Sequence, residues 1–256
     1  MVLKEERTAA RRHVAENIIS MRLKIDPRIA AQYLPAPFEP NREGELTVML
    51  ADYYGHDEDM VDKAEAAAKF VYPYYTTMQE GLISIPCKFE GKPGNYLARI
   101  WQDRDWAVQR GPMLGYNTEL AEVHINRFPG RLRKLYAPHV GSKIKGVVRQ
   151  NGDNLISGWI ELTEEVSYPE EEYMVCYGRR QIEDMLDPEG EKLIDDILIE
   201  YHDSEIKGQV FKGVGHLRLG GFMKDWDYEI IDAYYFEIGF STSGWRVLKD
   251  LKQQRG

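Results

Sequence analysis

Apolar and polar residues alternate through 18–25 (Ile18-Ile19-Ser20-Met21-Arg22-Leu23-Lys24-Ile25), the period of a strand with one buried face. Asp26-Pro27 then reads as a helix start, with Asp26 as N-cap and Pro27 in the first turn. That helix carries Ile29, Ala30, Tyr33 and Leu34 and stops at Pro35 and Pro37. Apolar and aromatic runs predict strands over 46–54, 72–77, 81–89 and 96–101, with Gly91-Lys92-Pro93-Gly94 as the turn between the last two. Residues 57–70 are rich in helix formers and are the clearest helical stretch. Asn151-Gly152 between the strand patterns 144–149 and 154–162 signals a tight hairpin. Further strands are expected over 173–182, 197–202, 209–219 and 228–240, with a short helix near 187–196. The charged residues 1–16 read as a short helix or a loose arm.

Strand following strand with few helices between them predicts an α+β fold dominated by an antiparallel sheet, closed or folded upon itself. Regular βαβ alternation and a Gly-x-Gly-x-x-Gly after a strand are both missing, which excludes a dinucleotide-binding reading. No composition shift marks a linker, so residues 1–256 are expected to form a single domain. The chain is 43% hydrophobic and 29% charged, as soluble globular proteins are, and its formal net charge of -9 argues against a nucleic-acid partner. The most basic run, 127–134, is short and interrupted by Phe128-Pro129-Gly130. Cys87 and Cys176 lie in strand-like surroundings and read as buried free thiols rather than a disulfide framework. The six histidines show no metal-ligand spacing, so neither a metal nor another cofactor is expected. No run approaches the roughly 18 apolar residues of a membrane span, and the N-terminus lacks the apolar core of a signal peptide. A cytoplasmic protein without a membrane partner is the resulting expectation.

Several motifs resemble those of the acetoacetate decarboxylase superfamily. Met21-Arg22-Leu23-Lys24-Ile25-Asp26 followed by Tyr33-Leu34-Pro35-Ala36-Pro37-Phe38-Glu39 is similar to its early strand, helix and Leu-Pro-x-Pro ending. Tyr75-Thr76-Thr77 through Glu80, then Ile85-Pro86-Cys87-Lys88-Phe89-Glu90-Gly91, resembles its central stretch. Gly115-Tyr116-Asn117-Thr118-Glu119-Leu120-Ala121-Glu122-Val123 resembles its active-site segment, Gly-(Tyr/Phe)-Pro-Lys-Lys-Leu-Ala-Glu-Ile/Val. The resemblance implies an antiparallel β-barrel or cone with peripheral helices, a homo-oligomer, and a small-molecule site. In the family the first lysine of the pair forms a Schiff base with a keto acid, and the second lowers its pKa. Here Asn117, Thr118 and Glu119 replace Pro-Lys-Lys. An alternative register lays Phe128-Pro129-Gly130-Arg131-Leu132 on the same motif, and it too lacks the nucleophile, since arginine stays protonated.

Decarboxylation of a β-keto acid needs an electron sink, which a lysine imine provides once its amine is partly neutral. Thr118 has no such amine, and Glu119 reverses the local charge. A charge pair near 4 Å is worth about 4 kcal/mol at an effective dielectric of about 20, so two carboxylates in one pocket would repel an anionic substrate. The resemblance assigns Glu80 as the pocket glutamate, and Glu80 with Glu119 would make an acid/base pair for a keto, hydroxy or enolic compound. Thr118 and Tyr116 would position the substrate. Asp52 is the candidate for a second acid on the earlier strand, while His124 and Arg127 are candidates for the wall of the site. Each has a plainer reading: Glu119 as a carboxylate in water or paired with an arginine, His124 as a hydrogen-bonded structural residue. The function expected is a lyase-type enzyme without a lysine imine. Two alternatives stay open: an inactive small-molecule-binding protein on the same scaffold, or a true decarboxylase whose nucleophile has moved to Lys88, Lys134 or Lys145.

Overall fold

The computed structural model describes residues 12–57, 75–127, 137–169, 175–183 and 193–251. Alternation in the first strand pattern gives β1 (Arg12–Ile25), which sends Ile19, Met21, Leu23 and Ile25 to one face, all buried. Asp26 caps α1 (Pro27–Gln32) by accepting a 2.8 Å hydrogen bond from the Arg28 N–H, as its sequence predicts. Ile29, Tyr33 and Leu34 of this segment pack on the core. A short β2 (Glu39–Pro40) precedes the long antiparallel strands β3 (Glu45–Asp57) and β4 (Tyr75–Phe89). The helix predicted over 57–70 lies outside the described residues, apart from Asp57 at the end of β3.

β4 turns into β5 (Lys92–Gln102) one residue earlier than the glycine pattern suggests. Glu90 and Gly91 form the turn, both with positive φ (50° and 80°), and Lys92 to Gly94 belong to the strand. Positive φ at both central residues is the geometry whose twist matches the flanking strands. Asn151 and Gly152 (φ 52° and 88°) do the same between β8 (Lys143–Gln150) and β9 (Asp153–Val166), where the hairpin was expected. Between these hairpins the chain forms α2 (Asp105–Arg110), a 3₁₀ turn at Pro112–Leu114, and the short strands β6 (Thr118–Leu120) and β7 (Glu122–Ile125).

The C-terminal half is β10 (Val175–Glu183), β11 (Leu193–Leu219), a 3₁₀ turn at Gly221–Met223 and β12 (Tyr228–Asp250). β11 joins the two strands predicted over 197–202 and 209–219. It also takes in Leu193 to Asp196, where a helix was expected; residues 187–192 of that stretch lie outside the described residues. Register shifts near Asp203 bend it, so that its first part pairs with β10 and its last part with β9.

All twelve strands belong to one sheet, ordered β10-β5-β4-β3-β1-β12-β11-β9-β8-β7, with β2 on β4 and β6 on β5. Pairing is antiparallel except for β10–β5 and β5–β6. The sheet folds back where β10 pairs with β11, but it does not close as the expected barrel. Its path ends at β7, whose four residues pair with β8. One face carries the main core, including Leu23, Leu46, Ile85, Trp101, Ile144, Ile160 and Tyr235. The other carries a smaller cluster of Ile18, Ala51, Val210, Phe236 and Ile238. Cys87 is buried and Cys176 partly buried, and neither forms a disulfide. No helix among the described residues is long and apolar enough to cross a membrane.

Candidate functional site

Glu80 sits on the face of the smaller cluster. Its cross-strand partners are Gln102 on β5 and Ala51 on β3, and the row continues through Ile18, Phe236 and Val210. Directly paired residues share a face of the sheet. A carboxyl group therefore ends a row of apolar side chains, and the Tyr168 ring packs on Phe236 at 5.4 Å. Gln102 Nε2 donates to Glu80 Oε2 at 2.9 Å. Lost solvation raises the Glu80 pKa above its ordinary value; the Gln102 hydrogen bond opposes this and the nearby Asp103 charge adds to it. A carboxyl group in such surroundings keeps its proton at a pH where an exposed glutamate has lost it.

Thr118 lies on the same face, because it pairs with Ile100, two residues before Gln102. Its hydroxyl donates to the Val108 carbonyl of α2 at 2.7 Å. A Cβ on Gly111 would stand 2.2 Å from Thr118 Cγ2, so the glycine backbone fits closely over this side chain. Thr118 thus ties α2 to β6. Tyr116 is partly buried, and its ring lies against Gly178 on β10, where an added Cβ would meet Cε1 at 3.2 Å.

The expected Glu80–Glu119 pair is not assembled. Glu119 is the register partner of Trp101, which itself pairs with Gly81. One step along each strand reverses the face, so Glu119 points to the main-core side and Glu80 to the other. Glu119 forms an ion pair with Arg99 and accepts a 2.8 Å hydrogen bond from Gln150 Nε2. Arg99 in turn lies 5.0 Å from the centre of the Phe222 ring. The charge of Glu119 is thus compensated locally by Arg99, on the face of the sheet away from Glu80.

Asp52 is also on the face opposite Glu80, since Ala51 is the residue that pairs with Glu80. The structure does bring Asp52 and Arg127 together. Asp52 Oδ1 accepts from Arg127 Nε at 3.0 Å and Nη2 at 2.8 Å, while Oδ2 accepts from the Tyr54 hydroxyl at 2.6 Å. Lost solvation and the carboxylate push the Tyr54 pKa up to about 12, which keeps that hydroxyl a donor. His124 alternates outward on β7 and is exposed, between the buried Val123 and Ile125.

Two of the lysines considered as moved nucleophiles are placed away from Glu80. Lys88 is eight residues further along β4, about 26 Å at roughly 3.3 Å per residue. Lys145 is exposed on β8, and Lys134 lies outside the described residues. Gln102 was missed by the sequence reading, although counting back from a correctly placed hairpin turn sets Trp101 opposite Glu80, one residue from its actual partner. Glu16 was missed as well; it shares the Glu80 face in the adjacent row, paired with Tyr53 and Ile238.

The sequence profile of the family described as acetoacetate decarboxylase matches residues 4–251. A comparison with curated protein sequences found no significant match. Among solved structures, the chain is similar to an acetoacetate decarboxylase-like enzyme from Sphingomonas wittichii RW1, with a TM-score of 0.79 and 18% identity over 95% of this chain and 94% of that one. It is similar to the enduracididine biosynthesis enzyme MppR complexed with the condensation product of pyruvate and imidazole 4-carboxaldehyde (TM-score 0.76, 19% identity, 93% and 89% covered). It is also similar to an acetoacetate decarboxylase from Legionella pneumophila (TM-score 0.73, 12% identity, 98% and 93% covered).

Proposed function

The chain belongs to the acetoacetate decarboxylase family, and on that premise we propose that it is a lyase-type enzyme that moves protons on a small keto, hydroxy or enolic compound through Glu80, without a lysine imine. The observation that carries this reading is the Glu80 carboxyl, bonded to Gln102 at the end of an apolar row and holding its proton above the usual glutamate range. Such a group suits loss of water from a β-hydroxy carbonyl compound. As acid it gives its proton to the departing hydroxyl, and as the carboxylate so formed it takes the proton next to the carbonyl, leaving a carbon–carbon double bond and water and restoring its own proton. The absence of lysine at positions 118 and 119 supports chemistry of this kind over decarboxylation. The pyruvate-derived product bound to MppR supports a small oxygenated carbon skeleton as substrate. Family membership also supports an oligomeric, cytoplasmic protein.

A second reading is a ligand-binding protein without turnover. It is favoured by Thr118 and Glu119, the residues at the lysine-pair positions, both being held by bonds within the fold. The two readings part on one experiment. A panel of β-hydroxy ketones and 2-oxo acids is screened for turnover, and Glu80→Gln is expected to reduce any activity found by about 100-fold or more. Full activity in that variant, or binding without turnover across the panel, overturns the enzymatic reading. Borohydride treatment in the presence of pyruvate is expected to leave the protein mass unchanged; a reduced adduct on any lysine refutes imine-free chemistry.

A further inference from the structure

Gln102 is more than nine-tenths buried, and its two amide ends differ in what they meet. Nε2 donates to Glu80 Oε2 at 2.9 Å and lies 3.7 Å from Met78 Sδ. Oε1 is buried with no hydrogen-bond partner among the described residues. A buried amide oxygen without a donor is costly, and native structures rarely leave one empty. On this face the register surrounds Gln102 with Glu80, Leu120 and Ile100. Of these three, only Glu80 has a side chain that can carry an exchangeable proton, and Thr118, also on this face, commits its hydroxyl to the Val108 carbonyl.

We propose that Gln102 is a positioning residue that holds the resting proton of Glu80. The neutral carboxyl donates its O–H to Gln102 Oε1 and accepts from Nε2, so the two side chains close a carboxyl–carboxamide pair. This builds on the assignment of Glu80 as the proton carrier. When Glu80 gives its proton to a ligand oxygen, its O–H bond breaks and the carboxylate keeps the hydrogen bond from Nε2. In that state Gln102 Oε1 again lacks a donor, so the amide orientation favours return of the proton to Glu80. The raised pKa of Glu80 agrees with this arrangement, and Asp103 is the other charged group acting on that carboxyl.

Infrared difference spectroscopy on the full-length protein, labelled with ¹³C-carboxyl glutamate and followed across about pH 4 to 8, tests the pair without any ligand. The expected result is a protonated-carboxyl C=O band that disappears in Glu80→Gln and moves to higher frequency in Gln102→Met, where both hydrogen bonds are lost. If no band is removed by Glu80→Gln, or if the band keeps its position in Gln102→Met, the proposal fails. Should Gln102→Met not fold, the side-chain carbonyl carbon of Gln102 in the unmutated protein is followed by NMR. It is expected to titrate together with the Glu80 carboxyl carbon, and independence of the two overturns the pair. A band that behaves as expected while Glu80→Gln keeps full turnover refutes the catalytic role of Glu80 and leaves the pair standing.

Discussion

Asp52 has a side chain with no exposed surface, and the guanidinium bonded to it is 47% exposed. Such a pair is asymmetric: losing the arginine strands a buried carboxylate, whereas neutralising the acid leaves an amide that still accepts hydrogen bonds. Arg127→Met is therefore expected to cost about 1–3 kcal/mol, less than a fully buried pair would because water reaches the cation. Asp52→Asn should cost less, and denaturant midpoints of both variants decide the matter. A larger loss in Asp52→Asn would sink the buried-charge account. Glu119 and Arg99 are each about a third exposed, so Glu119→Gln should shift stability by under about 1 kcal/mol. At this scale the residue types were legible in the sequence and the faces were not. Asp52 and Ala51 differ by one position, and that single step decides which of them meets Glu80.

The elements that the sequence marked by local chemistry are present: the Asp26 cap, the Asn151-Gly152 hairpin and strands where β1, β3 and β9 lie. What it could not show were features set by distant partners. A turn at Glu90-Gly91 followed by an uninterrupted ladder would place Trp101 opposite Glu80. The register shift between Ile83 and Ser84 places Gln102 there instead and so creates the carboxyl–amide contact. α2 is another such feature, because it is held by the bond from Thr118 to Val108 and by the close fit over Gly111. Gly111→Ala would force a methyl group to within 2.2 Å of Thr118 Cγ2 and 2.3 Å of its Oγ1. Overpacking of this kind costs typically about 1–3 kcal/mol. The double variant Gly111→Ala/Thr118→Ala removes those two atoms but keeps a Cβ at 2.7 Å, so partial recovery is expected. Additive losses in thermal unfolding would show that the two residues are not coupled.

Across the whole molecule, the chain keeps the family's fold, and Thr118 and Glu119, which the motif resemblance lays on the lysine pair, are both held by bonds within the scaffold. The motif resemblance in the sequence carries the first of these, and only the register of the folded sheet reveals what Thr118 and Glu119 are bonded to. Glu80 stands apart, because the fold works against its charge instead of pairing it with a cation, and this has a consequence for stability. In the unfolded chain Glu80 titrates near its ordinary 4.5, whereas in the folded protein lost solvation at this partly buried position holds the proton to higher pH. Between those two values the folded state binds the extra proton, so stability contributed by this group declines as pH rises, by up to about 1.4 kcal/mol per pH unit. Glu80→Gln removes that decline. Relative to the native protein it should gain stability steadily once pH exceeds about 4.5, until the folded-state pKa is passed, and hold a constant difference beyond it. Urea unfolding of both proteins across about pH 4 to 8 measures the difference directly. A gap that stays constant over the range, or that turns against Glu80→Gln as pH rises, would mean that Glu80 is ionised in the folded protein and cannot be its proton store.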